Sequence, residues 1–215
     1  MEQTFYFHTR LNLVELLGKK ARNLEELLEG LREVPDSSIY YHTHRFLQQH
    51  HYLSPEPPND FAFWVTNSLG LDRVGEMLAS VDTVRFRSIK GLREKFLEIL
   101  EPIVLAHNYR SVECQEGEEF HFMSCRTFVL PTPYQARNLK EFRDVLRKVS
   151  INSIYFHIFE ARLRLERGDN DFSYWFEGIG QKELAEEISR LDPYTITLEG
   201  LRNKIIQQVS RHVKN

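Results

Sequence analysis

A histidine that follows a tyrosine and precedes a more distant carboxylate occurs twice along this chain. The two sets are Tyr40, His42 and Asp60, and Tyr155, His157 and Asp171. Histidine titrates near neutral pH, so it can donate or accept a proton in catalysis. In an enzyme, His42 or His44 would be the acid or base. Asp60 or Glu56 would then orient the ring. The same pattern fits a half-buried histidine bonded to a backbone carbonyl or an acid, and the sequence leaves both interpretations open.

Aromatic residues beside carboxylates are also typical of surfaces that stack on a sugar or a base. We predict a ligand-binding site, either between the two halves of the chain or on the loop His50–Pro58. Its candidate residues are Tyr40, His42, His44, Arg45, Asp60, Trp64, Tyr155, His157, Asp171 and Trp175. The alternative is that Trp64 and Trp175 are core residues and that the two aspartates cap helices.

The nine histidines raise the question of a metal site, but their spacing does not support one. His42 and His44 are two residues apart, about 200° around a helix, and so point in different directions. His44 and His51 share a helix face, but about 10 Å along the axis separates them. A chelating pair on a helix needs a spacing of three or four residues. We therefore predict no metal and no cofactor.

The sequence resembles itself at an offset of 115 residues. Residues 21–42 match 136–157 at 12 of 22 positions without a gap, and Phe-x-Phe runs at Phe5 and Phe120 keep the same offset. We infer an internal duplication. It predicts a first helical module at 1–107, a polar linker at 108–118 and a second helical module at 119–215. Each module would bury its apolar face on the other, so we expect them to pack about a pseudo-two-fold axis.

Helix signals dominate each half of the sequence. Asn23 precedes a run of leucines and has Glu26 three residues later, as in a capping box, and Asn138 with Glu141 repeats this pattern. The predicted helices span about 24–34, 38–51, 60–68, 72–80, 88–107, 139–149, 153–166 and 198–213. The Phe-x-Phe runs are too short to distinguish strand from helix. The predicted fold is mainly α, or α+β with a minor component of short strands.

Composition excludes several classes of protein. The 215 residues are 41% hydrophobic and 27% charged, which is sufficient for a buried core. With a net charge of −3, nothing in the composition indicates binding to nucleic acid. No apolar run reaches 18 residues, so we predict no membrane segment. Two cysteines and no secretory signal pattern predict a protein of the reducing cytoplasm.

Three runs of sequence resemble a known family. They are Ser38–Leu47, Leu53–Phe61 and Tyr155–Arg162. The family is a group of uncharacterised bacterial and archaeal proteins classed as a domain of unknown function. The resemblance covers nearly the whole chain and implies a prokaryotic cytoplasmic protein. It implies no activity, cofactor or catalytic residue.

These observations favour a cytoplasmic, non-enzymatic protein that binds a ligand or interacts with another protein. The expected partner is an unknown small molecule or protein, with no nucleic acid and no membrane. The alternative is an enzyme that acts on a polar small molecule, such as a sugar or nucleotide derivative, with His42 or His44 as the acid or base.

Overall fold

The chain forms two compact units, and each unit takes residues from separated parts of the sequence. The structure, a computed structural model, describes residues 3–49, 59–106, 109–161, 170–191 and 196–213. Of the described residues, the first unit contains those within 3–11 and 127–213, and the second contains those within 12–49 and 59–126. The domain boundaries inferred from the sequence, at 1–107, 108–118 and 119–215, stay a prediction.

Two long strands form the sheet. Strand β1 spans Phe5–Ala21 and strand β2 spans Phe120–Ala136, each with 17 residues. They are neighbours in one antiparallel two-stranded sheet. Each strand contributes residues to both units, since the unit boundaries lie within the strands, after Leu11 in β1 and after Arg126 in β2.

The predicted fold, mainly α-helical with at most short strands, is wrong. The two strands form a substantial sheet, and the structure does not show the duplicated helical modules with pseudo-two-fold packing that we inferred. The strands escaped prediction because fully buried residues alternate with less buried ones only over a few residues at their N-terminal ends, Phe5–Phe7 and Phe120–Ser124. From Arg126 to Pro131 every residue is exposed, so the middle of β2 has no period-two pattern.

The helices of the second unit begin within two residues of the predicted starts. They are α1 (Leu24–Glu33), α2 (Asp36–Gln49), α3 (Asp60–Asn67), α4 (Asp72–Ala79) and α5 (Ile89–Leu105), with a 3₁₀ turn at Thr83–Arg85. The side chains of Asn23, Asn59 and Ser88 accept hydrogen bonds from backbone N–H groups in the first turns of α1, α3 and α5. These caps satisfy donors that a helix cannot pair internally, which fixes the three starts.

The first unit has a corresponding series of helices. They are α6 (Leu139–Leu146), α7 (Ile151–Tyr155), α8 (Asp171–Gly178), α9 (Lys182–Ser189) and α10 (Leu198–His212), and a π-helical turn at Phe156–Glu160 directly follows α7. Asn138 and Asn170 cap α6 and α8. None of the helices that the structure describes is long and apolar enough to cross a membrane.

The N-terminal end of each strand contributes two phenylalanines to a hydrophobic core. In the first unit, Phe5 and Phe7 of β1 are buried among aromatic rings of α6 and α8. In the second unit, Phe120 and Phe122 of β2 belong to a cluster that includes residues of α1, α3 and α5. The burial of aromatic side chains is a large contribution to folding, so each core depends on a strand segment that is distant in the sequence.

Candidate functional site

The ring of His42 joins two other elements of the second unit to α2. Its Nδ1 lies 2.8 Å from Oδ2 of Asp60, the first residue of α3. Its Nε2 accepts the backbone N–H of Met123, on β2, at 2.9 Å. The histidine is 3% exposed, whereas the Asp60 side chain reaches solvent. We call this group of contacts the His42 cluster.

The hydrogen-bond partners determine the state of the His42 ring. A backbone N–H can only donate, so Nε2 must carry the acceptor lone pair. Asp60 as a carboxylate can only accept, so Nδ1 carries the proton. The ring is therefore the neutral Nδ1–H tautomer, and both of its nitrogens are used by the protein.

His157 makes the same contacts in the first unit. Its Nδ1 lies 2.7 Å from Oδ2 of Asp171, the first residue of α8, and its Nε2 accepts the backbone N–H of His8 at 2.9 Å. The Ser153 hydroxyl donates to the His8 carbonyl at 2.6 Å. His8 is thus held at both its N–H and its C=O. We call this group the His157 cluster.

Each tryptophan bonds a backbone carbonyl just before the corresponding strand. Trp64 Nε1–H donates to the Glu118 carbonyl at 2.6 Å, and Trp175 Nε1–H donates to the Gln3 carbonyl at 2.5 Å. Both indoles are buried. The tryptophans therefore bond the residue two positions before each strand, while the histidines bond a residue within the strand.

Tyr40 and His44 form a separate contact on α2. Their rings stack with centroids 5.1 Å apart, and the Thr43 hydroxyl lies 2.8 Å from Nδ1 of His44. All three residues are buried. The Thr43 hydroxyl also donates to the Ile39 carbonyl. Because its proton is used there, it accepts the bond from Nδ1–H of His44.

A buried cation lies beside Tyr155 in the first unit. Arg10, on β1, forms an ion pair with Glu160 and places its guanidinium 4.1 Å from the centre of the Tyr155 ring. The Arg10 side chain is fully buried, and Glu160 ends the π-helical turn. Sequence reasoning missed both Arg10 and Glu160. The available signal was weak, since Arg10 is buried three residues after Phe7, out of phase with the alternation of Phe5 and Phe7.

Two titratable groups near the start of β2 have shifted proton affinities. Burial raises the pKa of the Cys114 thiol, and the nearby Glu119 carboxylate raises it further. Backbone N–H groups, its own first and then that of Gly117, lower the pKa of Glu119. In the described part of the chain, no three His, Cys, Asp or Glu side chains are grouped closely enough to hold a metal ion.

Comparison with known proteins identifies a family. The model of a family described as "Family of unknown function (DUF5752)" matches residues 2–210. The chain belongs to this family. The resemblance stated from the sequence is thus confirmed, and the family supplies no activity.

A solved structure shares the fold of this family member. The structure of OrfY from Thermoproteus tenax is 28% identical in sequence and has a TM-score of 0.81. The similarity covers 98% of this chain and 95% of that one. The comparison with curated proteins finds no match.

The structure separates the predicted ligand residues into two groups. The second unit holds Tyr40, His42, His44, Asp60 and Trp64, and the first unit holds Tyr155, His157, Asp171 and Trp175. Within each group, a histidine–aspartate pair and a tryptophan contact the same strand segment. The Arg45 side chain, Glu56 and the loop His50–Pro58 lie outside the described residues.

Large apolar side chains remain exposed on the strands. In the first unit, Leu11, Phe128, Val129 and Leu130 are 60%, 50%, 49% and 44% exposed. We call these four residues the exposed strand surface. The second unit also exposes Leu13 and Leu16 of β1. Apolar residues scattered singly are common on protein surfaces, but three in succession on one strand are not.

Proposed function

We propose that this protein is a non-enzymatic interaction protein that binds another protein through the exposed strand surface of its first unit. The observation that carries the proposal is the run Phe128-Val129-Leu130, in which each side chain is about half exposed. Exposed apolar side chains that share one face of a strand typically mark a contact site.

The geometry of a strand adds detail to this proposal. Successive side chains point to opposite faces, so Phe128 and Leu130 share one face and Val129 lies on the other. A partner that covers the first face removes two large side chains from water, which favours association. Strand β2 also has Pro131 and Pro133, which lack an N–H and so cannot donate to an added strand. The contact is therefore one of side chains, not of β-strand addition along the prolines.

The histidines support a non-catalytic function. His42 has Asp60 and Met123 as partners for its two ring nitrogens, and both bonds hold the fold together. A general acid or base needs a nitrogen within reach of the substrate. His44 is 2% exposed and is bonded to its neighbour Thr43. The alternative function, an enzyme with His42 or His44 as the acid or base, therefore has less support.

The experiment compares proteins captured by the wild type and by a variant of the exposed strand surface. The variant is Phe128→Ser/Leu130→Ser, and the matched control is Leu105→Ser, which removes an apolar side chain that is 73% exposed on α5. Each tagged protein is crosslinked in an extract of cells that produce it naturally, and mass spectrometry identifies the products.

We expect the wild type and the control to crosslink the same partner through residues on β2, and the strand variant to lose it. Circular dichroism establishes that all three proteins are folded. Equal capture by the strand variant would contradict the proposal. Turnover of a small molecule that is lost in His42→Gln would favour the enzyme instead.

A further inference from the structure

Each unit holds a short segment at the start of a strand, and the two segments share one sequence pattern. In the first unit it is Gln3–His8, and in the second it is Glu118–Met123. Each segment has phenylalanine at two alternate positions, Phe5 and Phe7 or Phe120 and Phe122, and all four rings are buried. Their common pattern is Phe-x-Phe.

The residues around the phenylalanines differ. Tyr6 and His121 lie between them, and His8 and Met123 follow them. Tyr6 is exposed, and His121 is only partly buried. Since two different sequences are held by matching histidine and tryptophan bonds to the backbone, the positions that vary are not the ones that the binding site recognises.

Aromatic rings form the walls of the site in the first unit. Phe5 lies with ring centroids 4.9 Å from His157, 5.4 Å from Phe172 and 5.6 Å from Trp175. Phe7 lies 5.3 Å from Phe142. Most of these contacts are edge-to-face, the arrangement that aromatic quadrupoles favour. The site thus selects aromatic side chains at two alternate positions.

The described hydrogen bonds between the site and the segment Gln3–His8 involve only backbone groups of that segment. Trp175 donates to the Gln3 carbonyl, His157 accepts the His8 N–H, and Ser153 donates to the His8 carbonyl. Backbone groups are present whatever the side chain, except that proline would lack the N–H. The site therefore combines sequence-independent bonds with two pockets for phenylalanine, as in recognition of extended peptides.

We propose that the site formed by Phe142, His157, Phe172 and Trp175 is a recognition site for an extended Phe-x-Phe segment, and that a segment of this kind from a partner protein can replace the chain's own Gln3–His8. This site is distinct from the exposed strand surface, so the two proposals stand or fall separately.

The chain's own segment competes with any partner segment for this site. Gln3–His8 is far from α6 and α8 in sequence, and hydrogen bonds and ring contacts hold it there. A tethered segment competes with an effective concentration on the order of millimolar. A free peptide will therefore bind weakly to the wild type and much more tightly once the tethered phenylalanines are removed.

The experiment uses the full-length variant Phe5→Ala/Phe7→Ala and a fluorescently labelled peptide with the sequence of Gln3–Arg10. Fluorescence anisotropy measures the affinity, and thermal unfolding with and without peptide measures stabilisation. One control peptide has both phenylalanines replaced by alanine. A second has only Tyr6 replaced by alanine.

We expect saturable binding of the Phe-x-Phe peptide to the variant, together with a rise in its Tm. The Tyr6-substituted peptide should bind equally, because that side chain is exposed. Loss of both phenylalanines should weaken binding by at least about 100-fold. The wild type should bind the peptide at least about 10-fold more weakly than the variant does.

Should the variant be unfolded, the peptide must still restore its fold and raise its Tm, so the test holds in that case too. No binding and no change in Tm would overturn the proposal, as would equal binding of the peptide without phenylalanine. A wild-type dimer that the free peptide dissociates would show that a second copy is the occupant, and would overturn the assignment to a partner protein.

Discussion

Nε2 of His157 accepts the backbone N–H of His8 at 2.9 Å, across 149 residues of sequence. Nδ1 of the same ring lies 2.7 Å from Asp171. One buried side chain therefore connects the π-helical turn, a helix start and the beginning of the chain. His42 does the same for Asp60 and Met123 in the second unit.

Replacement of either histidine should destabilise the protein. His157→Ala leaves the His8 N–H without its acceptor, and an unsatisfied buried donor costs about 1–3 kcal/mol. His157→Gln should recover part of this loss, because its side-chain oxygen can accept the same N–H. Urea unfolding measures both variants. His121→Ala, at a partly buried position on β2, is the control. An equal loss in the alanine and glutamine variants would contradict the role given to Nε2.

The ion pair between Arg10 and Glu160 should show strong coupling. Removal of one partner leaves the other charge buried, which costs about 3–5 kcal/mol. Arg10→Met and Glu160→Met should each be strongly destabilising, and the double variant should lose much less than the sum of the two. A double-mutant cycle from denaturant unfolding gives the coupling free energy. Simple additivity would mean that the two side chains do not depend on each other.

Gly30 should not tolerate alanine, although it lies within a helix. Alanine normally stabilises a helix interior by about 0.5–1 kcal/mol over glycine. Here a Cβ at position 30 would overlap the ring of Phe122. Overpacking costs about 1–3 kcal/mol, so Gly30→Ala should be destabilising overall. In a Phe122→Leu background the clash is smaller, and the same change should cost less. Thermal unfolding of the four proteins decides between these expectations.

Cys114 should make stability fall at alkaline pH. Burial and Glu119 raise the pKa of its thiol above the ordinary value of 9.0, so the folded protein keeps its proton after the unfolded chain has lost it. This contribution to stability is complete below pH 9 and is lost as the pH rises through the pKa of the folded state. Urea unfolding from pH 7 to pH 11 should show a shallower decline in Cys114→Ala. An unchanged slope would indicate that other groups cause the decline.

The helices were predictable because their signals are local. Asn23 and Asn138 each accept the N–H of the glutamate three residues later, as their spacing indicates. The predicted helix at 139–149 ends earlier, at Leu146. The strands were not predictable in the same way. Their ends pack against distant helices, and the exposed middle of β2 carries apolar residues on both faces.

The candidate residues were easier to find than their partners. The sequence suggested Asp60 as a group that orients His42, and the two side chains are in contact. The other partner of His42 is the backbone N–H of Met123, 81 residues away. Every residue except proline has a backbone N–H, so the sequence does not indicate which one the histidine binds. A role for these residues in ligand binding stays a prediction.

The origin of each core from separated segments has a consequence for synthesis on the ribosome. Gln3–His8 is made early, but α6 and α8, which hold it, follow more than 130 residues later. At roughly 5–20 residues per second, this is a delay on the order of ten seconds. In that interval Phe5 and Phe7 have no site of their own, while the site for Phe120 and Phe122 in the second unit emerges first. Until α6 and α8 are made, Phe5 and Phe7 are two apolar side chains whose native ring contacts cannot form.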